Sequence, residues 1–251
     1  MSIEQASFRR GQTSNDQLYL KVAAPVFCSQ LTYLFNLSLA TATVPRQWKT
    51  ACITPVPKVP TPHQPADYRP ISITPILTRV MERAVVHTYL YTAIQKPPTG
   101  LTFSDQYAFR PTASTTAAII SLLQSITDML LSNPFVIVIS LDFTKAFDTV
   151  RHSSLMNKMA KLDLPAVVYN WLAAFFTGHE QRTIYYGEVS STRSITASII
   201  QGSSIGPASN AVLAADLQPL HASNRFAKFA DDTYLVVPAV NAMERCHLRG
   251  R

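Results

Sequence analysis

Three aspartates, in two places, carry the chemistry that this sequence could perform. Asp231 and Asp232 stand side by side in FAKFADDTYLVV, residues 226–237. The apolar runs around them, Arg225 to Phe229 and Thr233 to Val237, predict two short strands joined by a turn for which Asp supplies the turn chemistry. Taken alone, the pair makes an acidic surface turn, in which neighbouring carboxylates repel unless a positive charge lies between them. Upstream, FVIVISLDFTKAFDTV (residues 135–150) predicts a buried strand that begins after Asn133-Pro134 and runs out at Asp142. A carboxylate at the end of a buried strand is hydrogen-bonded, paired or metal-bound. If this strand lies beside the hairpin in one sheet, three carboxylates converge. Such a donor set suits two divalent cations that clamp the attacking and leaving oxygens of an in-line phosphoryl displacement. Oxygen-only ligands favour Mg²⁺ over zinc.

The elements that must hold these acids read coarsely from periodicity and breakers. A helix is predicted from about Asp16 to Thr41, with Leu20, Phe27, Leu31, Leu34, Phe35 and Leu39 as core and a kink or restart at Pro25. Residues 49–58 alternate as a strand that Lys58 closes, and prolines hold the backbone around Arg69 extended. Thr74-Pro75 is a good start for a helix reaching about Gln95. A second helix runs from Ser114 to Leu131, with Ile119, Ile120, Leu123, Ile126 and Leu130 as core. Further helices pass through Leu155 and Leu162, and from Leu164-Pro165 through Trp171 to Gly178. Residues 181–200 read as a hairpin turning near Gly187 to Ser191. In QGSSIGPASN, Gly202 and Gly206-Pro207 let the backbone approach a ligand closely before another helix.

Composition narrows the class. The chain has 251 residues, 47% hydrophobic and 15% charged, which fits a folded protein with a sizeable core. Its 22 basic and 15 acidic residues leave a net charge of +7, suited to a polyanionic partner. Cys28, Cys52 and Cys246 form no C-x-x-C pattern and read as reduced thiols of an intracellular protein, in the cytoplasm or nucleus. No apolar leader and no stretch of about 18 apolar residues is evident, so no membrane partner is expected.

In this setting, SLDFTKAFDTV followed by FADD resembles the two catalytic motifs of reverse transcriptases, in the form found in non-LTR (LINE-type) retrotransposons. IIQGSSIGPASN is similar to that family's Gln-Gly…Gly-Pro motif. DYRPIS (67–72) and AFRPTAST (108–115) resemble its fingers motifs, with Ala108 where the family usually has Gly. Five motifs in the family's order, over about residues 45–238, make the resemblance specific.

The resemblance implies an α+β polymerase right-hand fold with an antiparallel palm sheet. Residues 1–44 form an N-terminal helical extension, fingers span about 45–134 and the palm about 135–238. Residues 239–251 would begin a following region, with the thumb expected to be absent. It implies an RNA-directed DNA polymerase in which Asp142, Asp231 and Asp232 hold two Mg²⁺ ions, with Mn²⁺ as an alternative. Lys58, Arg69, Phe143, Phe147, Gln201 and Gly202 would contact the incoming dNTP. Arg69 is suited by its bidentate fork, and Phe147 by a ring that blocks a ribose 2′-hydroxyl. Arg110 would meet the backbone of an RNA template or DNA primer. The alternative is a catalytically inactive, truncated polymerase fold that only binds nucleic acid. The sequence leaves the oligomeric state open.

Overall fold

The computed structural model describes residues 15–110, 113–143, 149–195, 197–198, 200, 202–243 and 248–249. In chain order, helix α1 (Asn15–Ala40) leads through a 3₁₀ turn (Arg46–Lys49) into β1 (Thr50–Pro57) and β2 (Tyr68–Ile73). Helix α2 (Ile76–Val85) continues through a π-helical turn (Val86–Leu90) into α3 (Tyr91–Gln95), and α4 (Thr115–Leu130) precedes β3 (Val136–Asp142). Then follow α5 (His152–Met159), α6 (Ala166–Phe176), β4 (His179–Tyr185), β5 (Glu188–Val189) and β6 (Arg193–Ile195). Helix α7 (Ile205–Leu213), β7 (Gln218–Pro219), β8 (Arg225–Phe229), β9 (Asp232–Pro238) and β10 (Leu248–Arg249) complete this mixed α and β chain. It divides into two units that interleave along the sequence. The first comprises residues 1–85, 165–196 and 200–203, the second residues 86–164, 197–199 and 204–251.

The first unit is built on a sheet in which β1 pairs antiparallel with β2 and parallel with β4, while β5 and β6 both pair with β4. Pro55 and Pro57 lie beyond the Thr50–Ile53 stretch that pairs with β4, and Pro70 lies on the outer strand. Proline has no N–H to donate, so it is confined to positions where one side of the strand has no neighbour. The core gathers Trp171, Leu172, Phe175, Trp48 and Met81. Trp171 stacks on Phe175 and donates its indole N–H to Ser38 Oγ at 2.9 Å, fastening the C-terminal part of α1 to α6. Farther back, α1 exposes Val22, Val26 and Phe27, so the periodicity there does not mark core. The helix also continues through Pro25 without the restart that proline offered there.

The second unit carries a three-stranded antiparallel sheet in the order β3-β9-β8. Phe226, Leu235 and Val237 pack with Ile139, Leu141 and Leu217 on one face. The expected β3 is present, but it is an edge strand rather than a buried one, with Ile137 and Val138 exposed. Helix α4 starts at its expected cap, where Ser114 Oγ accepts from the Ala117 amide at 3.1 Å. Its inward face is set by Ala118 and Met129, whereas Ile119, Ile120, Leu123 and Leu130 are exposed, contrary to the core reading. In α7, Ala208, Ser209 and Asn210 are all buried.

Candidate active site

The register of β3 on β9 places Asp142 directly opposite Asp232, and β8 pairs Phe229 with the same Asp232. Directly opposed residues in an antiparallel pair project from the same face, with Cβ atoms about 5 Å apart. Asp231 shares the two-residue turn with Ala230, whose backbone takes the left-handed conformation (φ 58°). That conformation is uncommon for a residue with a side chain and is typical of strained sites. One sheet end and one tight turn thus bring Asp142 opposite Asp232 with Asp231 next to it in sequence.

All three carboxylates are exposed, and none of the ion pairs among the described residues involves them. Among the described residues no three His, Cys, Asp or Glu side chains already enclose a point where a metal would sit. The acids nevertheless fit hard cations: they are oxygen-only donors, accessible, mutually repelling and without a basic partner among the described residues. Asp142 and Asp231 line one cavity of about 510 Å³ with Phe143, Asn210 and Ala230. Lys158 also lines it, tied at 2.6 Å to Asp216 and donating to the carbonyl of Leu213.

Behind the hairpin lies a buried cation that the sequence reading missed. Lys228, three residues before Asp231, is 1% exposed and reaches Asp105 Oδ2 at 2.9 Å. Its ammonium also donates to the carbonyls of Leu217 at 2.6 Å and Ala214 at 3.1 Å. Burial pushes the Asp105 carboxyl up and the Lys228 ammonium down, each opposed by the charge of the other. The backbone repeats the link: the Lys228 amide donates to Asp105 O, and the Tyr107 amide donates to Lys228 O. The segment FSDQYAFR therefore covers the outer edge of β8. A lysine on the packed side of a strand signals that a partner exists, but not where in the sequence it lies.

Arg110 ends that segment. Its Nη1 donates to the carbonyls of Phe103 and of Gln106 (3.2 Å), so part of the guanidinium braces its own loop. The left-handed residue of this loop is Phe109 (φ 58°), not Ala108, so the chain needs no glycine at 108.

In the first unit, Lys58 and Arg69 lie at the paired ends of β1 and β2, where Val56 is opposite Arg69. Between them Asp67 Oδ2 accepts the amides of His63 (2.9 Å) and Gln64 (3.1 Å), which hold its carboxyl below the usual carboxylate range. The Lys58 amide donates to Asp67 O and its Nζ to Ala66 O, while the Arg69 side chain is exposed.

Gly202 sits against the same strand. Its φ is +106°, and a Cβ at this position would lie 2.6 Å from the Ser72 carbonyl oxygen. Gly187 has a similar φ of +88° but open space around it. Gly202→Ala is expected to cost about 2–3 kcal/mol of stability, from backbone strain plus the forced carbonyl, against about 1 kcal/mol of strain alone for Gly187→Ala. Denaturant unfolding of both variants measures this; equal losses would mean that the Ser72 carbonyl gives way freely. Phe147 and Gln201 lie outside the described residues, as does Cys246, while Cys28 and Cys52 are free thiols.

Comparison with known proteins agrees with the motifs. Residues 56–248 match the family model described as reverse transcriptase (RNA-dependent DNA polymerase). The probable RNA-directed DNA polymerase from transposon X-element of Drosophila melanogaster is 30% identical over 207 residues, covering 80% of this chain and 22% of that protein. The RNA-directed DNA polymerase from mobile element jockey of the same organism is 30% identical over 215 residues, covering 81% of this chain and 23% of its own length. The chain thus spans less than a quarter of the length of these relatives. Among solved structures, apo telomerase from Candida tropicalis superposes with a TM-score of 0.53 at 11% identity, over 88% of this chain and 45% of that one, a likeness of fold. With its acids at one sheet end and its matched motifs spread over most of its length, the chain belongs to the reverse transcriptase (RNA-dependent DNA polymerase) family.

Proposed function

We propose that this chain carries the polymerase core of a non-LTR (LINE-type) retrotransposon reverse transcriptase, adding dNTPs to a primer 3′-hydroxyl on an RNA template. The observation that carries the reading is the register that sets Asp142 opposite Asp232, with Asp231 in the adjoining turn. Those three side chains would hold Mg²⁺, or Mn²⁺, which suits the same oxygen donors. The chemistry such ions would supply there is a more acidic 3′-hydroxyl and a counter-charge for the departing pyrophosphate. The chain's own residues then position the reactants. Arg69 and Lys58, on the joined ends of β1 and β2, would grip the triphosphate, Arg69 through a bidentate fork. Gln201 and Gly202 would lie along the nucleotide and template base, and Phe143 and Phe147 against the sugar, with Phe147 excluding a 2′-hydroxyl. Arg110 would meet template or primer phosphate, which the chain's net charge of +7 also suits. In this reading β1 and β2 belong to the fingers (about 45–134), and β3, β8 and β9 to the palm (about 135–238). The working compartment would be the cytoplasm or nucleus. Among the described residues no helix is long and apolar enough to cross a membrane.

Primer extension on poly(rA)–oligo(dT) with dTTP and Mg²⁺ tests the reading. Extension is expected, and chelation of divalent ions with EDTA should stop it while salt-sensitive duplex binding persists. Binding without extension under any divalent ion would instead support a fold that only binds nucleic acid.

A further inference from the structure

Glu82, in α2, was no candidate on sequence, yet it is fully buried in the first unit. A carboxylate is not left in such a place without hydrogen bonds. Glu82 Oε2 accepts from the hydroxyl of Ser203, itself buried, at 2.5 Å. One turn earlier, the charge of Glu82 holds up the pKa of the Arg79 guanidinium against burial, which lowers it. Ser203 directly follows Gly202, whose backbone rests on the Ser72 carbonyl of β2. The turn is closed by the Ser203 amide donating to Ile200 O at 3.0 Å. Gly202 and Ser203 are thus held from two sides: β2 fixes the Gly202 backbone sterically, and Glu82 fixes the next side chain by a short hydrogen bond. The strand that Gly202 touches is the one that carries Arg69, three residues before Ser72.

We propose that Glu82 is a positioning residue for Gly202 and Ser203: through Ser203 it sets the orientation in which the Gly202 backbone meets the nucleotide. This rests on the reading of Gly202 as nucleotide-binding. Glu82 touches no reactant, so it acts on dNTP affinity rather than on the chemical step.

The full chain is compared with Ser203→Ala, which removes the bond without opening a large cavity, and with Glu82→Leu and Glu82→Gln. The readouts are hydrogen exchange over residues 200–204, equilibrium binding of dTTP with Mg²⁺, and KM and kcat in primer extension. Ser203→Ala and Glu82→Leu are expected to quicken exchange of the segment and to weaken dTTP binding and raise its KM by about tenfold, the scale of one lost hydrogen bond to a charged group. kcat at saturating dTTP should stay within about twofold, as expected when only ground-state and transition-state binding fall together. Glu82→Gln, which keeps an acceptor oxygen for Ser203, should restore near-parental values. Unchanged exchange in Ser203→Ala overturns the anchor. Faster exchange with unaltered dTTP binding overturns the link to the nucleotide. A parent chain that binds dTTP but never extends a primer overturns the polymerase reading alone, and a tenfold loss of dTTP binding in Ser203→Ala would still support the anchor.

Discussion

Asp142→Asn is expected to lower single-turnover dTTP incorporation about a thousandfold or more, a loss of about 4 kcal/mol of transition-state stabilisation. The same variant should hardly change the unfolding transition, because Asp142 is exposed and engages no cation among the described residues. Surface changes of that kind stay within about 0.5 kcal/mol. The amide keeps the shape and one acceptor oxygen of the carboxylate but loses the charge that a hard cation requires. Asp231→Asn should match it, since Asp142 and Asp231 line the same cavity, and Asp232→Asn should cost less. Removing one of three repelling carboxylates also relieves like-charge repulsion, so a slight gain in stability together with lost activity is the signature of a functional acid. Incorporation by Asp142→Asn within about threefold of the parent would dismiss the aspartate from the reaction.

The site was legible in sequence where its determinants are local. A run of β-formers ending at Asp142 and an Asp-bearing turn between two apolar runs each specify an element from neighbouring residues; the strand and the hairpin are both present, although Asp232 opens β9 instead of sharing the turn with Asp231. Their pairing is not local: nothing in either segment says that Asp142 faces Asp232, and only the order of the family's motifs suggested it. The parallel pairing of β1 with β4 escaped for the same reason, because it joins Thr50 to Glu180 across the sequence. Burial was misread where period alone was used. Ile119, Ile120 and Leu123 share a helical stripe, but periodicity tells which residues share a face, not whether anything covers it. The apolar run of β3 likewise suggests a strand covered on both sides, and its place at the sheet edge leaves Ile137 and Val138 open to solvent. Glu82 and Lys228 were overlooked because charged residues default to the surface, and their partners, Ser203 and Asp105, stand more than a hundred residues away.

Lys228→Met should be the most destabilising single change in the second unit, costing about 3–5 kcal/mol at neutral pH, the range for breaking a buried ion pair from one side. Methionine fills nearly the same space, so packing is kept and the loss is electrostatic. The ammonium has three donors, and three acceptors meet them: Asp105 Oδ2, Leu217 O and Ala214 O. The variant strands all three, and Asp105 Oδ1 already accepts no hydrogen bond among the described residues. Asp105 is a carboxyl whose folded pKa burial holds above the usual value, with Lys228 pulling it back down. Without Lys228 it rises further, so the folded state binds the proton more tightly than the unfolded one. Stability then falls as pH rises from the ordinary carboxylate range through the raised folded pKa. The deficit of Lys228→Met should therefore shrink when urea unfolding is repeated at progressively lower pH. Adding Asp105→Leu should recover about 1–3 kcal/mol, the coupling expected of contacting partners, and should flatten that pH dependence. A pH-independent deficit, or a double variant whose loss is the plain addition of the two singles, would show that Lys228 stabilises the hairpin through its carbonyl contacts and not through Asp105. The outcome bears on the reaction as well as on the fold. Lys228 stands three residues before Asp231 and anchors β8 to residues 105–107, so the buried pair fixes from behind the strand end that presents the acids.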